Sequence, residues 1–233
     1  MKPNHQVRPG WSIALLALSL VACDRASTST TDAPKTQTRA SDAFLVLPGD
    51  YAEQTTAADF QARFGKDQVR LTPGADQALI LFPDDPLRRA YVDFHDDEKL
   101  EILSLIEVRD PGSLWRGKRG LQLGISLADL EKLNGKPFGY SGFDSQHRAW
   151  AHDQWSVARD DDDGQLGALD VEEGEHMYFS VGLGLRDPGV KLAPADLPRD
   201  EYLSSDDTRF PRVGELVIVT GFSANSSLDD EWQ

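Results

Sequence analysis

A complete helix signal is contained in Ser126-Leu127-Ala128-Asp129-Leu130-Glu131-Lys132-Leu133-Asn134-Gly135-Lys136. Ser126 can cap the first turn, and Asp129 supplies the acid that a capping box places three residues later. The three leucines recur at helical spacing and form one apolar stripe. Gly135 can end the helix because glycine adopts the left-handed conformation without a steric penalty. The stretch predicts a short capped helix that packs its leucines on another element.

A similar stretch lies 70 residues earlier, at Thr56-Ala57-Ala58-Asp59-Phe60-Gln61-Ala62-Arg63-Phe64-Gly65-Lys66. Ala, Asp, Gly and Lys match outright, while Thr replaces Ser, Phe replaces Leu and Gln replaces Glu. The cap, the apolar stripe and the closing glycine therefore recur in the same order. We interpret the two stretches as copies of one structural unit, each with a left-handed glycine at its C-terminus.

A second correspondence supports the repeat. Val108-Arg109-Asp110-Pro111 follows the first helix, and Leu185-Arg186-Asp187-Pro188 follows the second. Between each helix and its Arg-Asp-Pro, the chain alternates apolar and polar residues as strands do. In the first unit the predicted strands are 78–82, 89–94 and 101–108, with an exposed, charged turn at 95–99. In the second unit they are 138–143, 148–151, 154–158, 166–171 and 177–185, with a final strand at 215–222 after a proline-rich connection.

These patterns predict the α+β fold class. We expect two related units, each a short capped helix packed on an antiparallel strand meander. Their predicted boundaries are 43–112 and 113–222, and residues 223–233 would form a flexible tail.

The N-terminal residues resemble a bacterial lipoprotein signal. Lys2 and Arg8 give a positive start, and an apolar run of 12 residues from Trp11 follows, too short to span a bilayer. The run ends in Leu20-Val21-Ala22-Cys23, which is similar to the lipobox of bacterial lipoproteins. The resemblance implies cleavage after residue 22 and acylation of Cys23, the only cysteine of the chain. Residues 23–42 contain no large apolar side chain beyond Cys23 and are expected to form a disordered tether.

The charge excludes one class of partner. The formal net charge is −15, and removing residues 1–22 takes away two basic residues and no acid, which leaves −17. A polyanion of this kind repels the phosphates of nucleic acids. The predicted partners are therefore the membrane, through lipidated Cys23, and an envelope protein.

The second helix and its surroundings also carry a family resemblance. Gly120-Leu121-Gln122-Leu123-Gly124 leads into the helix, and Pro137-Phe138 and Gly142-Phe143-Asp144 follow it. The sequence is similar to a family of exported bacterial lipoproteins with a tandem SmpA/OmlA-like repeat. The repeated unit resembles the β-lactamase inhibitor protein fold. The resemblance implies a fold and a location in the cell envelope, on the periplasmic face of the inner or outer membrane, and it implies no reaction.

Motifs for catalysis and metal binding are weak. The acidic run 160–163 before Gly164 partly imitates a calcium loop, but Arg159 occupies the first ligand position. Histidines 95, 147, 152 and 176 are scattered and have no cysteine partner. No nucleophile elbow, phosphate loop or zinc-binding helix motif is present. We therefore predict no enzymatic activity, no cofactor, no metal and no catalytic residue, and we interpret Ser126 as a helix cap.

The remaining signal is aromatic. Tyr140, Phe143, Trp150 and Trp155 lie among glycines near the start of the second unit. Tyr and Trp are favoured binding anchors because they bury a large area and keep one polar end. We predict that these four residues bind a partner protein; the alternative is that they build the core under the second helix. The predicted function is a lipid-anchored, protein-binding envelope protein. The alternatives are a small-ligand or calcium-binding periplasmic module and, third, a hydrolase.

Overall fold

The α+β fold class is confirmed by a computed structural model, in which seven antiparallel strands form the main sheet and a few short helices accompany it. The structure describes residues 45–72, 78–96, 98–152, 155–157, 167–170, 177–193, 196–199 and 202–226. All of them belong to one compact unit, Arg39–Gln233. Cys23, the predicted signal and tether, and the acidic run 160–163 lie outside the described residues.

Two of the described helices are those expected from the repeat. Helix α1 spans Ala57–Phe64 and helix α2 spans Leu127–Asn134. Thr56 and Ser126 cap them as predicted, since each hydroxyl accepts a hydrogen bond from the amide of the acid three residues later. Gly135 ends α2 with φ 80° and ψ −2°, a left-handed cap. Gly65 has φ 89° but ψ 147°, so α1 ends differently from the prediction and leads into a 3-10 turn, Lys66–Gln68. A third helix, α3, spans Val213–Leu216.

Nine strands are described. They are β1 (Val69–Leu71), β2 (Leu79–Leu81), β3 (Ala90–Asp96), β4 (Glu101–Val108), β5 (Gly139–Ser141), β6 (Ala149–Trp150), β7 (Met177–Leu185), β8 (Tyr202–Ser204) and β9 (Val217–Ser226). The order in the main sheet is β1-β2-β3-β4-β9-β7-β6, while β5 and β8 form a separate two-stranded sheet. The three strands predicted in the first unit correspond to β2, β3 and β4, and the strand predicted at 177–185 corresponds to β7. Each begins and ends within two residues of its predicted bounds.

The main sheet combines strands of both units, four from the first and three from the second. The hairpins of the first unit run from one edge to β4, the strands of the second unit run from the other edge to β9, and β4 pairs with β9. Strand β9 thereby joins both units into one sheet. It continues four residues beyond the expected boundary at Phe222, because Ala224 and Ser226 still point into the core.

Several expectations for the second unit are wrong. Residues 155–157 and 167–170, the described parts of two predicted strands, form bends and turns. Their apolar members Trp155 and Leu169 are nevertheless buried, which explains why the segments resembled strands. Conversely, β8 lies inside the stretch interpreted as a proline-rich connection.

One buried polar side chain joins α2 to these irregular segments. The amide nitrogen of Asn134 donates to the carbonyl oxygens of Trp155 at 2.8 Å and Lys136 at 2.9 Å. Its side-chain oxygen accepts from the amide of Leu169 at 3.3 Å. A Cβ atom at Gly167 would lie 2.1 Å from that oxygen, so the chain approaches Asn134 closely only because residue 167 is glycine. Asn134 thus holds buried loops in place where no strand does.

Among the described residues, none of the helices is long and apolar enough to cross a membrane.

Candidate functional site

Three of the four aromatic residues predicted to bind a partner lie in the core. Tyr140 is fully buried, and Phe143 and Trp155 are each 1% exposed. Tyr140 contacts Phe143 with ring centres 6.1 Å apart, and Trp155 contacts Phe138 at 5.2 Å. A partner cannot reach these rings, so the alternative interpretation applies to them: they build the interior.

The burial of Tyr140 follows from the small sheet. Its strand pairs with β8, and Tyr140 itself also bridges to Ala151 beside β6, so the ring is enclosed between the two sheets. Burial raises the pKa of the Tyr140 hydroxyl above its ordinary value, and the charge of Asp207 raises it further. The hydroxyl has no hydrogen-bond partner within the described part of the chain. The buried surroundings of Tyr140 therefore suit an apolar ring and do not suit a side chain that binds a partner.

Trp150 has the opposite environment. Its side chain is 50% exposed, whereas Ala149, one residue earlier, is fully buried. Neighbouring residues of a strand point to opposite faces of a sheet, so Trp150 projects from the face that turns away from the helices. Its position in the sheet is fixed by pairing with Gly182, and the amide of Trp150 donates to Ser141 Oγ at 3.0 Å. Trp150 therefore keeps its role as a candidate binding residue.

We call the face that carries Trp150 the open face. Paired residues form a row across it, and each of them is half-buried or exposed. In order from the β1 edge, this row is Arg70, Ile80, Tyr91, Glu107, Ser223 and Ser180. The opposite face carries the buried residues of the same strands, such as Val92, Ile106 and Ala224. The main sheet thus has one face in the core and one face toward solvent.

Two glycines leave the backbone bare on the part of the open face near the β6 edge. Gly182 on β7 pairs with Gly221 on β9, and Trp150 pairs with Gly182 from the other side. A Cβ atom built at Gly182 would meet no atom closer than 3.7 Å, and one at Gly221 none closer than 3.5 Å. Neither a close contact nor a positive φ requires glycine here, although the register between β7 and β9 shifts directly after Gly182. We call this pair the glycine floor.

A cation lies at the other side of the glycine floor. The guanidinium carbon of Arg109 is 3.7 Å from the centre of the Tyr91 ring, and Arg109 Nη1 donates to Glu107 at 2.6 Å. These contacts hold the long Arg109 side chain in one orientation on the open face. The glycine floor is therefore flanked by Trp150 on one side and by the stacked Arg109 on the other.

An apolar cavity of about 280 Å³ lies next to the floor, where β4 ends and β9 begins. Its walls include Pro111, Leu123 and Ile218, and Arg109 and Thr220 lie at its polar side. The volume is at the lower end of the range for small-molecule sites and suits a single large side chain.

A second cavity, of about 480 Å³, lies between the turn before β6 and the segment after β7. It is lined by Val190, Leu192, Ala193, Leu197, His147 and Arg199. Among the described lining residues, His147 and Arg199 are the polar groups.

The other candidate groups have structural roles. The Ser126 hydroxyl donates to the Asp129 carboxylate at 2.7 Å and accepts from its amide at 3.1 Å, as a helix cap does. The His152 ring stacks on the Tyr202 ring with centres 4.1 Å apart. Within the described ranges, no group of three or more His, Cys, Asp or Glu side chains could hold a metal ion.

Comparisons with protein-family models, with curated protein sequences and with solved structures found no match to this chain. The family resemblance of the second helix region therefore stays a prediction, and the functional argument depends on the geometry of the two faces and the two cavities.

Sequence reasoning missed most of this geometry. Gly182 and Gly221 are 39 residues apart, and only the register between β7 and β9 brings them together. Arg109 was noted as part of a repeated Arg-Asp-Pro, but its position beside the glycine floor depends on the pairing of Val108 with Phe222. One available signal was the alternation along β7, where Gly182 lies between the buried residues Val181 and Leu183 and is itself only half-buried.

Proposed function

We propose that this chain is a lipid-anchored protein of the bacterial cell envelope that performs no catalysis and binds a partner protein on its open face. The observation that carries the proposal is the half-exposed Trp150 beside the glycine floor. An exposed tryptophan next to bare backbone and an apolar cavity offers both an anchor and a complementary recess.

The open face is large enough for a protein. Strand β9 has ten residues and would measure about 34 Å, and six strand-to-strand spacings would measure about 29 Å. The edge strands are shorter, so the usable face is smaller than this rectangle of about 1,000 Å². It is still comparable to the roughly 800 Å² that each partner contributes to a stable interface.

The face and the overall charge define the partner. The cavity of Leu123 and Ile218 suits one large apolar side chain of the partner, and Trp150 would bury its exposed ring beside it. The chain has a net charge of −15, which favours a partner with a basic surface. We therefore propose a folded envelope protein that presents an apolar side chain within a positively charged surface.

The anchor would restrict where the partner is found. In this proposal Cys23 carries the acyl groups, residues 23–42 form the tether, and the folded unit lies on the periplasmic face of a membrane. Several acyl chains give stable membrane attachment, which a single chain does not. Metabolic labelling with a palmitate analogue is expected to mark the wild-type protein and to leave the Cys23→Ala variant unlabelled.

Photo-crosslinking in intact cells tests the partner surface. A benzophenone amino acid is placed at Trp150 in the full lipoprotein, and a matched variant carries it at Lys132, which is exposed on α2. We expect one defined protein adduct from position 150 that is missing from position 132. Adding Gly182→Val should remove the adduct, because the valine side chain fills the glycine floor.

Two outcomes would contradict the proposal. One is an identical set of adducts from positions 150 and 132, since contact would then be independent of the open face. The other is an unchanged adduct in the Gly182→Val variant at equal protein level.

A further inference from the structure

The cavity of about 480 Å³ joins an apolar wall to two nitrogen groups. Val190, Leu192 and Leu197 supply the wall, and Arg199 and His147 lie together at the rim. The distance from Arg199 Nη2 to His147 Nε2 is 3.4 Å. A ligand that fits both parts needs an apolar body and a group that attracts cations.

Arg199 differs from most of the described arginines in its surroundings. Eight described arginines lie within 4.0 Å of a carboxylate oxygen. Arg199 has no such carboxylate among the described residues, and its contact there is the His147 ring. Because no carboxylate of the described residues pairs with Arg199, its guanidinium is a candidate to bind an anion from solution.

Hydrogen bonds hold the walls of the cavity in place. The Asp196 carboxylate accepts from the amide of Ala193 at 2.8 Å and from Arg212 at 2.9 Å. The carbonyl oxygen of Pro198 accepts from the amide of Phe143 at 2.9 Å, which ties the Arg199 segment to the core. These bonds hold Asp196 and Pro198, the two residues on either side of Leu197 in the apolar wall.

The turn that carries His147 is equally defined. Asp144 accepts from the amides of Gln146 and Arg148, each at 2.8 Å, and from Arg148 Nε at 2.9 Å. These bonds hold the pKa of the Asp144 carboxyl below its ordinary value, so the clamp persists at neutral pH. His147 itself has φ 59°, a left-handed conformation that the turn imposes. The ring is thereby directed toward Arg199.

We propose that this cavity binds a small amphipathic anion, with its carboxylate hydrogen-bonded to Arg199 beside His147 and its alkyl chain against the wall of Val190, Leu192 and Leu197. The residues of this site are not those of the open face, so the ligand-binding proposal can be tested independently of the partner-binding proposal.

Isothermal titration calorimetry of the full mature chain with decanoate, below its micelle concentration, tests the site. Decanol serves as the uncharged probe and acetate as the headgroup without a chain. We expect decanoate to bind at one site, with both comparison probes at least about tenfold weaker, since each lacks half of the proposed contacts.

Variants assign the binding to this cavity. Arg199→Gln should weaken decanoate binding about tenfold or more, the effect of losing a charge-assisted hydrogen bond. His147→Asn keeps a residue that tolerates the left-handed turn and should also weaken binding. Arg70→Gln, an exposed arginine on β1, is the matched control and should bind as the wild type does.

The proposal is overturned if wild-type protein does not bind decanoate, or if decanol binds as tightly as decanoate. Equal binding by the Arg199→Gln variant, with its melting temperature unchanged, would also overturn it. A Leu192→Trp variant gives an independent measurement, because a filled cavity should abolish binding while Arg199 and His147 stay in place.

Discussion

Gly182 and Gly221 face each other across β7 and β9 on the solvent side of the sheet, where neither a positive φ nor a close contact calls for glycine. Glycine inside a strand is destabilising by roughly 0.5–1 kcal/mol relative to alanine, because the unfolded chain is more flexible. Each of these glycines therefore lowers the stability of the sheet, and an alanine in its place would restore part of that stability.

Gly182→Ala should therefore raise the free energy of unfolding by about 0.5–1 kcal/mol, measured by urea denaturation. The same change should reduce formation of the Trp150 crosslink, because the methyl group occupies the floor. Gly214→Ala in α3 is the control: an added Cβ there meets Ala128 at an ordinary 3.5 Å, so it should leave the crosslink intact. A loss of stability in Gly182→Ala would contradict the interpretation of the floor as free space.

The two tryptophans of the second unit should respond in opposite ways to truncation. Trp155→Ala removes a ring that is 1% exposed and should cost about 3–5 kcal/mol of stability. Trp150→Ala removes a ring that is 50% exposed and should cost less than about 1 kcal/mol. The partner should nevertheless dissociate at least about 30-fold more readily from Trp150→Ala, as expected for an interface hot spot. Equal losses of stability in the two variants would contradict their assigned environments.

Removing the buried Asn134 side chain should lower the free energy of unfolding, because it leaves buried backbone groups without hydrogen-bond partners. Asn134→Ala strands the carbonyl of Trp155 and the amide of Leu169 without partners, which should lower the free energy of unfolding by about 2 kcal/mol or more. Asn225→Ala on the open face is the comparison, with an expected change within about 0.5 kcal/mol. Denaturant titrations of the two variants should separate clearly.

The helix caps should make stability depend on acid pH. Hydrogen bonds from Thr56 hold the pKa of Asp59 below its ordinary value in the folded chain. A carboxyl whose folded pKa is lowered stabilises the fold above its unfolded pKa of about 4, and this contribution disappears as pH falls through the folded pKa. Asp59→Asn should therefore be less stable than wild type at pH 7, by roughly 0.5 kcal/mol after solvent screening.

At the lowest pH at which the protein stays folded, the difference between Asp59→Asn and wild type should be smaller than at pH 7, because the wild-type carboxyl becomes protonated as pH falls through its folded pKa. Urea midpoints at the two pH values measure this. A gap that stays constant between them would mean that the charge of Asp59 contributes nothing.

Strands β2, β3 and β4 and the starts of both capped helices could be predicted from the sequence because their signals are local, whereas the three-residue strand β1 was not predicted. Thr56 and Asp59 are three residues apart, and alternation along 89–94 is enough to define a strand. The second unit depends on contacts between distant segments. Trp155 and Leu169 are buried in turns held by Asn134, so apolar residues there imitate strands.

The candidate site was harder to predict for the same reason. A strand as short as Ala149–Trp150 has too few residues for alternation to tell which side chain points outward. Tyr140 and Trp150 therefore look equivalent in the sequence, although one is in the core and one is in solvent. His147 and Arg199 are 52 residues apart and meet only through the fold.

The last described strand of the chain, β9, occupies the centre of the main sheet between β4 and β7. Every residue up to β9 must be delivered before either half of the sheet can close, so a chain emerging residue by residue exposes two unpaired inner edges until the end. Exposed edges recruit other strands and lead to aggregation, and distant pairings form slowly. A chain stopped before Val217 would leave the inner edges of β4 and β7 without their shared partner and open to pairing with other strands.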